Sequence, residues 1–201
     1  MTTDELLQRV ATQAVVTVEG KVFKAGPKLK ASMAENTALT AAEIIAHPDQ
    51  REELRTFRYG HVVGAGLPPA EIEDWQTQHP EHPLPADLKE LLMRVNGVHL
   101  WADLDTLRAY FGILPLEEWQ DVRQAGWAMM FETPPVGQLV LSYHDNGDYF
   151  LVLDTSRQTY VWYDLQDFDN PKQVGRTVEE LLDFWWRETA WLGPRQSGEA
   201  G

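Results

Sequence analysis

The chain has no cysteine among its 201 residues. That single absence excludes a disulfide framework, thiolate metal sites and a cysteine nucleophile. Apolar runs of about 18 residues are also missing, so no segment is expected to span a membrane. The start, Met1-Thr2-Thr3-Asp4-Glu5, lacks the basic residues and apolar stretch of a secretory leader, and a cytoplasmic location is expected. Positive charge is scarce: 17 Lys and Arg face 31 Asp and Glu, for a formal net charge of −14. Residues 1–60 are neutral, with eight charges of each sign, so the whole excess lies in residues 61–201. Such a field repels phosphate backbones and anionic lipid, which removes nucleic acid and membrane as expected partners. It favours encounter with a basic protein.

What is abundant is tryptophan, eight residues in all. Each is a large apolar payload whose N–H needs a partner, so core and contact surface are both expected to use them. The length suits one domain with an attached element. Residues 1–60 read as an N-terminal extension: a helix from Asp4 to about Ala14 capped by Thr3, a short hairpin turning at Glu19-Gly20, and a helix from the capping box at Thr40. Pro48 breaks that helix, and Asp49 to Phe57 is expected to resume it. Lys21, Lys24, Lys28 and Lys30 read as a solvated strand edge. The Gly-rich residues 60–67 read as a hinge, since the Lys-Ser/Thr of a phosphate-binding loop is missing.

From residue 61 to 193 the signals describe one domain, with a polar tail over 194–201. Pro68-Pro69 opens a helix carrying Ile72 and Trp75. Leu84-Pro85 opens another, with Leu88, Leu91, Leu92 and Val95 on one stripe and Gly97 as its left-handed stop. Short helices are expected over Leu104–Phe111 and Leu116–Val122. Leu139–Tyr143 and Tyr149–Leu153, joined through Asn146-Gly147, form a hairpin, and Tyr160–Tyr163 adds a third strand. A final helix starts at the Thr177–Glu180 capping box, presents Val178, Leu181, Leu182, Trp185 and Leu192, and stops at Gly193-Pro194. Trp75, Trp185 and Trp186 are assigned to helix packing. The fold class is α+β, a mixed or antiparallel sheet with a C-terminal β-meander backed by helices.

The sequence carries no recognisable catalytic motif. His79 and His82 are both followed by proline on a loop, and His144 beside Asp145 would point to the opposite strand face. Asp145-Asn146-Gly147-Asp148 has calcium-loop oxygens without the length or closing Glu of an EF-hand. No G-x-S-x-G, H-E-x-x-H or dinucleotide fingerprint occurs. The reading is therefore a binding protein with no catalytic residue, metal or cofactor.

The ordered run carries a family resemblance. Its parts are the Leu84-Pro85 helix ending Val95-Asn96-Gly97, then Gly112-Ile113-Leu114-Pro115-Leu116-Glu117-Glu118-Trp119, then Gly147–Asp154, Val161-Trp162-Tyr163-Asp164 and a capped last helix. Over about residues 62–192 this resembles the SUKH superfamily, which contains bacterial immunity proteins and a yeast regulator of cell-wall synthesis. Val98 stands where members often have a second Gly after the Asn-Gly cap. The resemblance implies an immunity protein that grips a cognate toxin or effector, such as a basic nuclease, and occludes its active or substrate surface. A regulatory scaffold like the yeast relative is the alternative. For the partner face, the acidic stretch with Asp164, Asp167 and Asp169 ranks first. Glu117, Glu118 and Trp119 come second, and Asp145 with Asp148 third.

Overall fold

Thr2 and Glu5 cap the first turn of helix α1 (Thr3–Thr12) reciprocally: the Glu5 N–H donates to Thr2 Oγ1 at 3.2 Å and the Thr2 N–H to Glu5 Oε2 at 2.7 Å. The cap is thus Thr2, not Thr3, because only Thr2 has a Glu three residues on. This is a computed structural model, and it describes residues 1–13, 15–28, 30–31, 48–105, 111–143, 149–164 and 166–189. The chain divides into two compact units, Met1–Val16 with the residues from Tyr59 onward, and Thr17–Arg58.

In the smaller unit, strand β1 (Val16–Ala25) pairs with the first part of strand β2 (Gln50–Val63). Two expectations are corrected here. The chain does not turn at Glu19-Gly20; Gly20 lies mid-strand under the Phe57 ring, where an added Cβ would sit 2.9 Å from the ring edge. Nor is Asp49–Phe57 helical: its helix-forming side chains are overridden by strand pairing. Asp49 starts the strand by accepting the Gly26 N–H at its carbonyl (3.0 Å) and the Lys28 N–H at its carboxylate (2.7 Å). The helix expected from Thr40 lies outside the described residues.

In the larger unit, Tyr59–Val63 of β2 lead to helix α2 (Pro69–Gln78), helix α3 (Ala86–Arg94) and strand β3 (Val98–Asp103), which pairs antiparallel with that end of β2. The Gly-rich stretch is no hinge. Gly64 and Leu67 donate to the carbonyls of Gly97 (2.8 Å) and Leu92 (2.9 Å), and a Cβ on Gly64 would meet Asn96 O at 1.9 Å. The glycine lets two backbones touch. Gly97 stands at φ +88°, and Val98 after it is already buried strand.

Strand β4 (Phe111–Ile113) pairs with β3, and Leu114 N–H then donates to Leu141 O at 2.9 Å, tying the two sheets together. Leu104–Phe111 is thus not wholly helical, since Phe111 is strand; residues 106–110 lie outside the described residues. A single 3₁₀ turn, η1 (Leu116–Glu118), replaces the helix expected over Leu116–Val122, because strand β5 (Gln120–Asp121) pairs away at once. A second 3₁₀ turn, η2 (Gly126–Met130), follows. Strands β6 (Gln138–Tyr143), β7 (Tyr149–Asp154), β8 (Thr159–Asp164) and β9 (Lys172–Gly175) complete an antiparallel sheet in the order β5-β6-β7-β8-β9. The meander has more strands than expected, but the α+β class stands. Helix α4 (Val178–Thr189) is the last element among the described residues, its Thr177–Glu180 box formed as read. Leu192 and the tail lie outside the described residues.

Both faces of the central strands of the five-stranded sheet are buried. Leu139, Leu151, Leu153 and Tyr160 join the main core with α3, α4 and Leu6 of α1. Val140, Phe150, Val152 and Tyr163 form a second cluster on the other side, with Phe131 and Phe168 against it. Among the described residues no helix is long and apolar enough to cross a membrane.

Candidate partner-binding groove

Strand alternation and one helical repeat build a groove at the end of the sheet where β7 begins and β8 ends. In the ladder, Tyr149 stands opposite Asp164, Leu151 opposite Trp162, and Trp162 opposite Lys172. Tyr149 lies two residues from the core residue Leu151 and therefore shares its face. Its ring stacks on Trp162 at 5.3 Å and 22°, and Trp162 meets Phe184 edge-on at 5.5 Å. Phe184 and Glu188 are four residues apart on α4, hence on one side of that helix. Lys172 Nζ lies 4.9 Å from the Phe184 ring centroid and 4.0 Å from the Glu188 carboxylate.

The loop after β8 is held by its own acids. Asp164 Oδ1 accepts the Gln166 N–H at 2.8 Å, and Asp167 Oδ1 accepts Asn170 Nδ2–H at 2.7 Å. Asp164, Asp167 and Asn170 form the rim of a cavity of about 370 Å³ whose walls are the aromatic side chains just named. Three carboxylates, Asp164, Asp167 and Glu188, share it with one ammonium, so the groove is acidic with aromatic walls.

The sequence-ranked acids separate in space. Asp164 and Asp167 meet in this groove. Asp169 instead lines a cavity of about 310 Å³ beside Phe131, Tyr163 and Phe168. Glu117 and Glu118 are exposed on η1, where Glu117 accepts Asn96 Nδ2–H at 3.0 Å and Asn96 Oδ1 accepts the Leu116 N–H at 2.8 Å. Trp119 is corrected from contact residue to core: it is 6% exposed, and its indole N–H donates to Leu114 O at 2.8 Å. Its partner need is met inside the fold. Asp145 and Asp148 lie outside the described residues. Sequence reasoning missed Tyr149, Lys172, Phe184 and Glu188 as groove residues; the spacing of Phe184 and Glu188 on one helix was the only local signal for any of them.

Two further polar clusters cement the larger unit. Asp121, 6% exposed, takes His82 Nε2 at 3.0 Å and the Arg123 guanidinium at 2.8 and 2.6 Å, together with the Arg123 N–H at 2.8 Å. Burial alone would push the Asp121 carboxyl up, but Arg123 and His82 outweigh it and hold the group below its ordinary value. At the second cluster, Trp101 has φ +54°, rare for a bulky side chain, in a β-bulge of β3 where Leu100 and Trp101 together face His61 of β2. Its N–H, turned from the ladder, donates to His61 Nδ1 at 3.2 Å. His61 Nε2 in turn contacts Gln13 Oε1 at 3.2 Å, and its ring lies 4.6 Å from Trp101 and 6.0 Å from Trp186, over which Arg9 sits.

Burial lowers the His61 pKa, and it also lowers that of His99, where Glu118 pulls the other way without prevailing. Folding therefore disfavours the charged form of both imidazoles, whereas the unfolded chain protonates them near about pH 6.5. Because the unfolded state binds more protons below that value, stability is complete above it and declines as pH falls through it. Urea midpoints should drop between about pH 7 and about pH 5.5, before ordinary carboxylates titrate, and H61Q should flatten part of the drop. A midpoint constant over that range refutes the assignment.

Fold and groove together define an α+β domain with a helix-covered antiparallel sheet and an acidic, aromatic-walled groove at one sheet end. The chain belongs to the SMI1 / KNR4 family (SUKH-1), whose model matches residues 66–183. That match falls inside the 62–192 stretch that carries the sequence resemblance. No curated protein and no solved structure matches the chain.

Proposed function

We propose that this chain is an immunity protein that binds a cognate toxin or effector in the cytoplasm and neutralises it by covering its active or substrate surface. The family includes immunity proteins. The observation that carries the reading is the groove: Asp164, Asp167 and Glu188 set around Tyr149, Trp162 and Phe184. Tight protein interfaces are dominated by a few aromatic and charged anchors in desolvated pockets, and this groove offers both kinds. Its charge continues the acidic excess of residues 61–201, which would steer a basic partner toward it. The protein is assigned no reaction, metal or cofactor of its own; its work is occlusion.

The reading expects the adjacent gene to encode a large secreted protein with a toxic C-terminal domain, and the test is co-expression of this chain with that domain. Growth should be restored and the two chains should co-purify. Growth arrest without co-purification overturns the reading, and co-purification with toxicity intact makes the chain a scaffold instead.

A further inference from the structure

We infer that the groove is a receptor for one arginine side chain of a basic protein partner, and that Lys172 holds the place of that cation in the free protein. The inference rests on the reading of this groove as the partner face.

Three observations carry it. The first is the cation already there. Lys172 Nζ lies 4.9 Å from the Phe184 centroid and 4.0 Å from Glu188, so one wall demonstrably accepts an ammonium against an aromatic face and a carboxylate. Lys172 is anchored opposite Trp162 on β9, and its own charge leaves three carboxylates only partly balanced.

The second is the geometry of the remaining wall. Tyr149 and Trp162 stack at 22°, presenting flat aromatic surface beside the Asp164–Asn170 loop. Asp164 and Asp167 each commit Oδ1 to that loop, to the Gln166 N–H and to Asn170 Nδ2–H. Among the described residues, the second oxygen of each carboxylate accepts no hydrogen bond. A planar cation that stacks on a ring and donates in its own plane fits such a wall, and guanidinium does both. An ammonium can sit over a ring, as Lys172 does, but as a strongly hydrated point charge it neither lies flat on the ring nor donates in one plane.

The third is size. A cavity of about 370 Å³ lies at the small end of ligand-sized pockets, roughly 300–1,000 Å³. It suits an inserted side chain and is too small for a helix or a strand. The groove would thus hold one hot-spot residue, with the surrounding rim excluding water.

Lys172 makes the inference sharp, because a resident cation competes with an incoming one. Removing its charge should strengthen arginine binding. Were Lys172 instead a contact for an acidic partner, removing it would weaken binding.

The experiment uses the full chain and three probes: N-acetyl-argininamide, its neutral isostere N-acetyl-citrullinamide, and N-acetyl-lysinamide. The readout is the ¹H–¹⁵N indole signal of Trp162, assigned by its loss in W162F. The expected result is a saturable shift with the arginine probe in the millimolar range, a weaker one with lysine, and none with citrulline. K172M should bind the arginine probe at least about 3-fold more tightly, and D164N/D167N at least about 5-fold more weakly. No saturable shift, an equal response to citrulline, or weaker binding by K172M overturns the inference. If D164N/D167N fails to fold, K172M and the citrulline comparison still decide it. No toxin is present, so failure here leaves the immunity reading standing. A toxin that binds with the groove blocked would sink only the link between the two.

Discussion

Asp121→Ala is expected to destabilise the fold by about 2–3 kcal/mol, a sizeable share of the about 5–15 kcal/mol that a domain has in total. The side chain receives four hydrogen-bond contacts at once: one from His82, two from the Arg123 guanidinium and one from the Arg123 backbone. Removing it strands partners unequally. Arg123 is nearly half exposed and can turn to water, so Arg123→Ala should cost only about 1 kcal/mol. His82 is 1% exposed, and its Nδ1 already has no hydrogen-bond partner among the described residues. Without Asp121 its Nε2 loses its partner as well, and a buried polar ring is left unpaired. Urea denaturation with an unchanged slope measures the difference. A cost below about 1 kcal/mol would show that the cluster is solvated decoration rather than cement.

The same cluster shows where sequence reading stops. His82 was legible only as a loop histidine between prolines, because its partner is 39 residues away on a two-residue strand. No local pattern announces such a pairing. By contrast, α3, α4 and the β6–β7 pair were legible because each carries its own periodicity, and the two helices their own start signals, within a short stretch. The failures share one cause, tertiary contact overriding local preference. Gly20 looks like a turn residue until Phe57 lies across it, and the segment after Asp49 looks helical until β1 pairs with it. Gly64 looks flexible until the end of α3 rests on it. At the groove, the acids of the loop were legible as a charge cluster, and two of them, Asp164 and Asp167, do meet there. The aromatic walls were not, since nothing in the sequence of β7, β9 or α4 says that Tyr149, Lys172 and Phe184 converge on Trp162. Trp119 failed in the opposite sense: beside two glutamates it resembles a surface anchor, yet its N–H is spent on Leu114 O.

Charge reversal in the groove, D164K/D167K, should weaken capture of the cognate partner about 100-fold or more, close to about 2.7 kcal/mol. Two components make up the loss. Like charges now face a basic partner at contact, and truncating one side of desolvated ion pairs raises the dissociation rate. Steering weakens as well, so the association rate should fall by about 10-fold at low salt. Added salt supplies the diagnostic, because exposed charges are screened beyond about 8 Å at physiological ionic strength. The wild-type association rate should fall steeply with salt, and that of D164K/D167K should vary little. E117K/E118K applies the same change in net charge at η1, away from the groove loop in sequence. It should slow association modestly and leave dissociation within about 3-fold of wild type. If it matches the loss of D164K/D167K, the −14 acts as a diffuse field; if it exceeds that loss, the partner sits on η1. Either result would take the groove out of the interface, because only a local effect at Asp164 and Asp167 separates the dissociation rates of two variants of equal net charge.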